Sequence, residues 1–370
     1  VGESIRLVDL VQARIDRFLD DRSSILASMA DDLGPLEQFS RQFLSGGKRF
    51  RALFCYWGFQ SVRGNRGEIT SASAERELST IVAAASALEV FHAAALIHDD
   101  IIDSSDTRRG RPSAHKRFES SHVDSGWEGD GAAFGVAAAT LLGDLLLGWS
   151  DELLDEGLDD MHQRDRARAA RREFNRMRTE VTAGQYLDIL EEQAWRVSPE
   201  DELLARAHRV IVYKSAKYSV EEPLAIGATI GGASPGQLDT LREFGLPLGI
   251  AYQLRDDLLG VFGDPEVTGK PSGDDLREGK RTVLIALARQ KLPTSARRAL
   301  DELLGDPELD SDQIRMLQNT IKASGAPSEI ESLISLNVDR ANAALDEASL
   351  VPDAIDQLRS LTHSVTARVA

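Results

Sequence analysis

Leu96-Ile97-His98-Asp99-Asp100-Ile101-Ile102-Asp103 sets three aspartates at the end of a long apolar stretch. The run behind it carries helical periodicity, so the spacing predicts one helix over 74–104. On such a helix Asp99 and Asp103 stand one turn apart on the same face, with Asp100 beside them. Like charges at that spacing repel, and an apolar helix carries them only with compensation. A hard cation such as Mg²⁺ supplies it: the ion accepts one or two carboxylates and completes its octahedron with water and substrate phosphate. Taken alone, the motif reads equally well as a solvated helix end.

A second cluster shifts the balance. Tyr252-Gln253-Leu254-Arg255-Asp256-Asp257-Leu258-Leu259-Gly260-Val261-Phe262-Gly263-Asp264 again places paired aspartates at the end of an apolar helix. Two such ends in one chain are hard to explain by accident. Facing one cavity, they could hold several Mg²⁺ ions, three by expectation, around a single diphosphate. Cations complete the pattern. Gly46-Gly47-Lys48-Arg49-Phe50-Arg51 is by itself a solvated basic turn, but beside the aspartates it gains a second meaning as a metal-free phosphate pocket. Arg108-Arg109 follows the first cluster, Lys214-Ser215 lies between the two, and Lys270 and Lys280 fall in a Gly-, Pro- and Asp-rich loop from Gly263 to Lys280. A long polar loop of that kind often covers a site.

Composition limits the alternatives. Apolar residues make up 42% of the 370 and charged ones 28%, enough for a sizeable core. The net charge of −17 argues against nucleic acid as a partner, because phosphate binding needs clustered Lys and Arg. Bound metal ions would reverse the sign locally and let so acidic a chain hold an anion. The lone Cys55, in an apolar stretch, reads as a small buried hydrophobe. No signal-peptide pattern opens the sequence, and the cytoplasm is the expected location. Ala132–Trp149 is eighteen residues with one charge, Asp144. Its small residues and central carboxylate suit a helix buried on all sides of a bundle rather than a membrane span.

Helical periodicity appears nearly everywhere and alternating β-branched runs are almost absent. Long helices are predicted over 4–33, 74–104, 133–155, 164–193, 198–226 and 235–262, with shorter ones over 293–304, 311–323, 327–348 and 352–369. No linker divides differently composed halves, so the expectation is a single all-α domain over 1–370.

The ordered motifs resemble the trans-prenyl diphosphate synthases, or polyprenyl synthetases, the family of farnesyl and geranylgeranyl diphosphate synthases. The resemblance runs from about Phe43 to Leu287. It rests on Asp-Asp-x-x-Asp at 99–103 with Thr107-Arg108-Arg109-Gly110, Gly143-Asp144, Gly184-Gln185-x-x-Asp188, Lys214-Ser215, Gln253-x-x-Asp256-Asp257, and Gly269-Lys270 to Asp274 and Lys280. It implies an all-α isoprenoid-synthase bundle around a central cavity, a homodimer, and Mg²⁺ as cofactor. Asp99, Asp103 and Asp256 then resemble direct metal ligands, with Asp100, Asp257 and Asp274 close by or water-bridged. Arg108, Lys214, Lys270 and Lys280, with Ser215, correspond to contacts of the allylic diphosphate. Lys48, Arg51, His92 and Arg109 correspond to the isopentenyl diphosphate pocket, and Gln253 and the Lys214-Ser215 backbone to the surroundings of the reacting carbons. Two positions depart from the pattern. Gly260 stands where many relatives carry a third aspartate, which Asp264 cannot be assumed to replace, and Ser215 stands where threonine is usual.

The implied reaction ionises an allylic diphosphate and adds isopentenyl diphosphate to the resulting cation. Product length should depend on side chains further back along the helix of Asp99. Ala95 and Ala94 lie about 6–8 Å back and Phe91 about 12 Å. With no ring at 94 or 95, geranylgeranyl diphosphate is the expected product; farnesyl or longer chains are the alternatives. If Phe91 merely packs against a neighbouring helix, the floor lies elsewhere. A terpene cyclase and a regulatory subunit of a heteromeric synthase are rival readings. The first needs no Gly-Gly-Lys-Arg-Phe-Arg pocket, and the second should have eroded aspartates. Arg164, Arg168, Arg172 and Arg176 form a basic stripe, expected to be a solvated face paired with acids, with docking to an anionic membrane as the other reading. His98 is expected to orient a carboxylate rather than bind Mg²⁺.

Overall fold

The computed structural model describes residues 2–63, 71–108, 110–264 and 272–366, and it is all-α. Arg109 and Lys270 lie outside the described residues. In chain order the helices are α1 (Gly2–Met29), α2 (Gly34–Phe43), α3 (Phe50–Val62), α4 (Ser71–Ile102), α5 (Ala114–Asp124), α6 (Gly131–Asp159) and α7 (Arg164–Ala194). Helix α8 (Leu203–Val210) runs into a π-helix (Ile211–Glu221) and on into α9 (Glu222–Gly231). Then come α10 (Pro235–Phe262), α11 (Asp274–Glu278), α12 (Val283–Lys291), α13 (Thr294–Leu303), α14 (Ser311–Ala323), α15 (Ala326–Ala344) and α16 (Pro352–Thr366). The extended pairing found among the described residues is a hairpin of β1 (Thr107–Arg108) on β2 (Arg111–Pro112).

Two compact units emerge, Val1–Arg172 with Pro223–Ala233, and Glu173–Glu222 with Ser234–Ala370. In the first, α4 is the axis. Its Ile81, Ala85, Leu88 and Ile97 are fully buried, as expected of a helix that is apolar nearly all round. Helix α6 approaches it through glycines. A Cβ on Gly157 would lie 2.6 Å from the Ala83 methyl, and one on Gly143 only 2.4 Å from His98 Nε2. Helices α3 and α9 cross still more closely. A Cβ on Gly227 would lie 1.8 Å from the Cys55 carbonyl oxygen, and one on Gly58 2.3 Å from that of Leu224. Cys55 is fully buried, and burial pushes its thiol pKa far up, in keeping with an inert core residue.

The expectation of an α6 buried on all sides is overturned. Asp130 caps its start by accepting from the Ala132 and Ala133 amides. From there only 28% of its most apolar window is buried, with Phe134, Val136 and Leu141 exposed. The reason is in the residue order: Gly143, Leu146, Leu153 and Gly157 supply an inward face, and further apolar residues are left over for the outward one. Helix α4 is also long and apolar enough to cross a membrane, but 83% of its window is buried.

In the second unit α10 is central. It begins where Ser234 and Gln237 form a capping box around Pro235, and Gly263 caps its end. Its inner residues Ile250, Leu254 and Leu258 join Leu284, Leu317 and Ile330 in one core. The π-helix lies against α10 where Gly249 lacks a side chain: a Cβ there would meet the Ala216 carbonyl oxygen at 2.4 Å. The basic stripe on α7 is largely a paired surface. Arg164 reaches Asp159 at 3.6 Å, Arg168 reaches Asp165 at 4.0 Å, and Arg176 reaches Glu173 at 2.6 Å and Glu222 at 2.9 Å.

Candidate active site

Helix α4 delivers the first aspartates at its C-terminal end. Asp100 is fully buried, which is affordable because Arg108 Nε donates to its Oδ1 at 2.8 Å. Arg108 Nη2 also reaches Asp99 Oδ2 at 3.2 Å. The hairpin makes this possible: Gly110, at φ +70°, turns the chain so that Arg108 pairs with Arg111 and faces back to α4. Asp99 and Asp103 stay partly accessible. Partial exposure also marks His92, Ala95 and Leu96, which recur at helical spacing with Asp99 and Asp103 and form a stripe down one side of α4. Phe91 and Ala94 are buried and lie off that stripe, by about 80° and 140° around the helix from Asp99. His98 Nε2 lies 3.4 Å from Asp144 Oδ1, over Gly143, so its acidic neighbour comes from the Gly143-Asp144 motif.

The basic turn sorts its cations by burial. Arg49 takes a left-handed backbone (φ 51°) and is buried, where it bonds Glu89 at 3.3 Å and Gln12 at 2.6 Å. Lys48 is exposed and Arg51 partly so. The two residues assigned to substrate are therefore the outward ones, and the one between them holds the fold.

The second unit brings together Lys214, Asp188, Lys280, Gln253 and Asp257. The π-helix carries Lys214, and Gly184 of α7 lets it in, since a Cβ there would lie 2.4 Å from the Lys214 amide nitrogen. Lys214 Nζ then reaches Asp188 Oδ2 at 2.5 Å. Lys280 Nζ reaches the same oxygen at 3.4 Å and Glu192 Oε1 at 3.1 Å. Ser215 is partly buried beside Lys214. On α10, Gln253 Nε2 donates to Asp257 Oδ1 at 2.8 Å, while Asp256 is exposed. Burial pushes the Asp257 carboxyl up to about 7; Asp256 and Asp188 add to the rise, and Gln253 and Lys214 oppose it. Asp274 opens α11 half-buried, and its neighbour Asp275 lies against Gly260.

The donor set fits a hard cation. Asp257 Oδ2 is buried with no hydrogen-bond partner, a costly state that a divalent ion would relieve. Among the described residues no three metal-donating side chains converge closely enough to hold an ion unaided. Mg²⁺ bound mainly through substrate phosphate needs only one or two. Asp188 was named from sequence only as a motif residue without a role, and Asp275 and the inward role of Arg49 were not singled out. Asp188 had a signal in its Gly-Gln-x-x-Asp context; Asp275 had only its position next to Asp274.

Comparison with known proteins gives the geometry its context. A geranylfarnesyl diphosphate synthase of Aeropyrum pernix is 31% identical over 317 residues, 86% of this chain and 88% of that one. A geranylgeranyl diphosphate synthase of Mycobacterium tuberculosis is 30% identical, covering 84% and 78%. The crystal structure of geranylgeranyl pyrophosphate synthase from Corynebacterium glutamicum, complexed with isoprenyl diphosphate and magnesium, superposes with a TM-score of 0.90 at 38% identity, covering 98% and 99%. The polyprenyl synthetase family model matches residues 35–321, through both aspartate motifs and the cations around them, and the chain belongs to that family of prenyl-transferring enzymes.

Proposed function

We propose that the protein condenses isopentenyl diphosphate with allylic diphosphates (dimethylallyl, geranyl and farnesyl) in a Mg²⁺-dependent reaction, with geranylgeranyl diphosphate as the main product. The observation that carries this reading is that cations sit on carboxylates at the first aspartate motif and beside the second: Arg108 on Asp99 and Asp100, and Lys214 and Lys280 on Asp188, whose charge bears on Asp257. A site of that kind suits a polyanion that must be held and then released with more charge.

Asp99, Asp103 and Asp256 would hold the metal, with Asp100, Asp257 and Asp274 nearby, and the metal when bound would supply Lewis-acid stabilisation of the leaving diphosphate. Arg108, Lys214, Lys280 and Lys270 neutralise the same group as its C–O bond breaks, an electrostatic contribution that grows toward the transition state. Lys48, Arg51, His92 and Arg109 hold isopentenyl diphosphate so that its double bond attacks the allylic carbon. Gln253 and the Lys214-Ser215 backbone face the developing cation. The released diphosphate takes the proton whose loss sets the new double bond.

The stripe of His92, Ala95 and Asp99 suggests the path of the growing chain. Small Ala95 leaves it open, and the closure falls where Leu88 and Phe91 are buried. The geranylgeranyl synthases among the relatives support that length, and the geranylfarnesyl synthase makes a longer product the second reading. We further infer a homodimer in the cytoplasm, with both units of each chain acting as one catalytic domain. A second copy would cover the apolar outer face of α6.

Purified protein is incubated with isopentenyl diphosphate, each allylic primer in turn, and Mg²⁺ or EDTA, and the dephosphorylated products are sized. Mg²⁺-dependent elongation that stops at about twenty carbons is the expected result. Cyclised hydrocarbon, or activity only on adding a partner chain, would overturn it.

A further inference from the structure

Three arginines gather on one indole. The guanidinium carbon of Arg281 lies 3.9 Å from the centre of the Trp195 ring, that of Arg289 5.0 Å and that of Arg196 5.4 Å. Arg289 is answered by Asp301, to which it donates twice, at 2.6 and 2.9 Å. Arg281 is placed differently. Its Nη2 donates to the Leu304 carbonyl at 3.4 Å, but its Nε and Nη1 are buried with no hydrogen-bond partner. Burial pushes its pKa down to about 10; Asp301 opposes the fall, and Arg289 and Arg196 deepen it. A buried cation short of acceptors is costly. The face of the indole offsets that cost, because a ring attracts a cation most strongly where water is excluded. Both unpartnered nitrogens are closed to solvent, which leaves no room for an outside anion to do the same.

Trp195 is itself buried and follows directly on Ala194, the last residue of α7. Asp188, Glu192 and Trp195 therefore succeed one another at helical spacing along one side of that helix. Against them runs a short connector, from Gly279 at φ +77° to Thr282, whose hydroxyl starts α12 by accepting from the Ile285 amide. Lys280 and Arg281 are the two residues between. Lys280 Nζ reaches Glu192 at 3.1 Å and Asp188 at 3.4 Å, while Arg281 stacks on Trp195. One side of α7 thus grips two consecutive residues, the first by charge and the second by a ring. A lysine on its flexible four-carbon stem is not aimed by ion pairs alone, and the stack fixes the backbone from which it springs. We propose that Trp195 is a positioning residue: its stack on Arg281 holds the connector against α7 and so sets where the Lys280 ammonium stands.

The inference rests on the assignment of Lys280 to the allylic diphosphate, and it is read on binding as well as on turnover. Affinity for inorganic diphosphate with Mg²⁺ is measured by titration calorimetry, beside kcat and KM. The proteins are the full chain, Trp195→Leu, Trp195→Phe, Arg281→Met, Trp195→Leu/Arg281→Met, and chains with mono-, di- or trifluorinated tryptophan at position 195 alone. Fluorine draws charge from the ring face and barely alters its shape, so a ring that only fills space would not respond. Diphosphate affinity and kcat should fall stepwise along the fluorinated series, by about fivefold in all. Trp195→Leu and Arg281→Met should each lose about tenfold and Trp195→Phe about threefold, with KM for isopentenyl diphosphate unmoved. The double variant should match the single ones within about twofold, because both changes remove the same stack. If Trp195→Leu does not fold, the fluorinated series decides. Indifference to fluorination, additive losses in the double variant, or an equal loss in KM for isopentenyl diphosphate would each overturn the proposal. A parent that binds diphosphate but elongates no primer would sink the proposed reaction and leave the binding test standing; a parent that binds no diphosphate would overturn both.

Discussion

The Lys214 ammonium lies 2.5 Å from the Asp188 carboxylate, and Lys280 approaches the same oxygen from the chain beyond α11. One acid therefore sets the position of two cations assigned to the leaving diphosphate. Asp188→Asn keeps the shape and removes the charge that orients them. The expected effect is a fall in kcat of about ten- to a hundredfold, as small misplacements near reacting groups cost, with KM little changed. Steady-state kinetics with farnesyl diphosphate checks it; a change confined to KM would count against orientation.

The α3–α9 crossing should be intolerant of a single methyl. Gly227→Ala places a carbon 1.8 Å from the Cys55 carbonyl oxygen, where backbone rather than a flexible side chain must yield. A loss of about 1–3 kcal/mol or more is expected. Chemical denaturation read by circular dichroism measures it, with Gly148→Ala, which meets nothing within 4 Å, as the control.

Stability should fall as pH rises toward neutrality. Burial lifts the Glu222 carboxyl to about 7 despite Arg176, with Glu221 adding to the rise. Glu173, Glu180, Lys217 and Arg242 complete the charged surroundings of this buried group. A folded-state pKa above the unfolded one means that the native state holds the proton more tightly. The contribution is complete below about pH 4.5 and is lost toward pH 7, at up to about 1.4 kcal/mol per unit. Glu222→Gln should flatten the dependence of Tm on pH between about 5 and 7. An unchanged slope would assign the titration to another group.

Exposure on α6 predicts association. Leu141 is 66% exposed in the apolar first part of α6, where Phe134 and Val136 are also exposed. Leu141→Arg should convert a dimer to a monomer in sedimentation velocity while leaving helicity intact. A parent that is already monomeric would refute the homodimer.

Phe91 tests the length reading. Being buried about 80° off the Asp99 stripe, it can act only by pressing on the path's edge. Phe91→Ala should lengthen the products by one or more five-carbon units if it closes the path. An unchanged distribution moves the floor to Leu88.

Helix α10 was legible to the residue, because Ser234, Pro235 and Gly263 punctuate a strong apolar period. Helix α3 was not, since ten of its thirteen residues are buried and burial on all sides leaves no polar face to mark the turn. The stretch expected as one helix over 198–226 begins at Leu203, holds the π-helix, and continues to Gly231. Composition does not distinguish i→i+5 bonding from i→i+4. Motif and spacing marked the aspartate clusters and the cations near them, while their roles came only from the family resemblance. Asp275 was not marked: its meeting with Gly260 depends on how the chain returns after α10, which no local pattern records. The outer face of α6 was misjudged because small residues suit a helix–helix contact whether the other helix comes from the same chain or a second copy.

The π-helix has a consequence for how this chain can change in length. Excising one residue from an ordinary α-helix turns everything after it by about 100°, which scrambles every later contact. Between Ile211 and Glu221 the coil is wider than α geometry requires. Loss of a single residue there can be absorbed by the coil tightening to the α form, so α8 and α9 keep their registers. The segment that carries Lys214 is thus also the place where a one-residue gap would do least harm to the rest of the molecule.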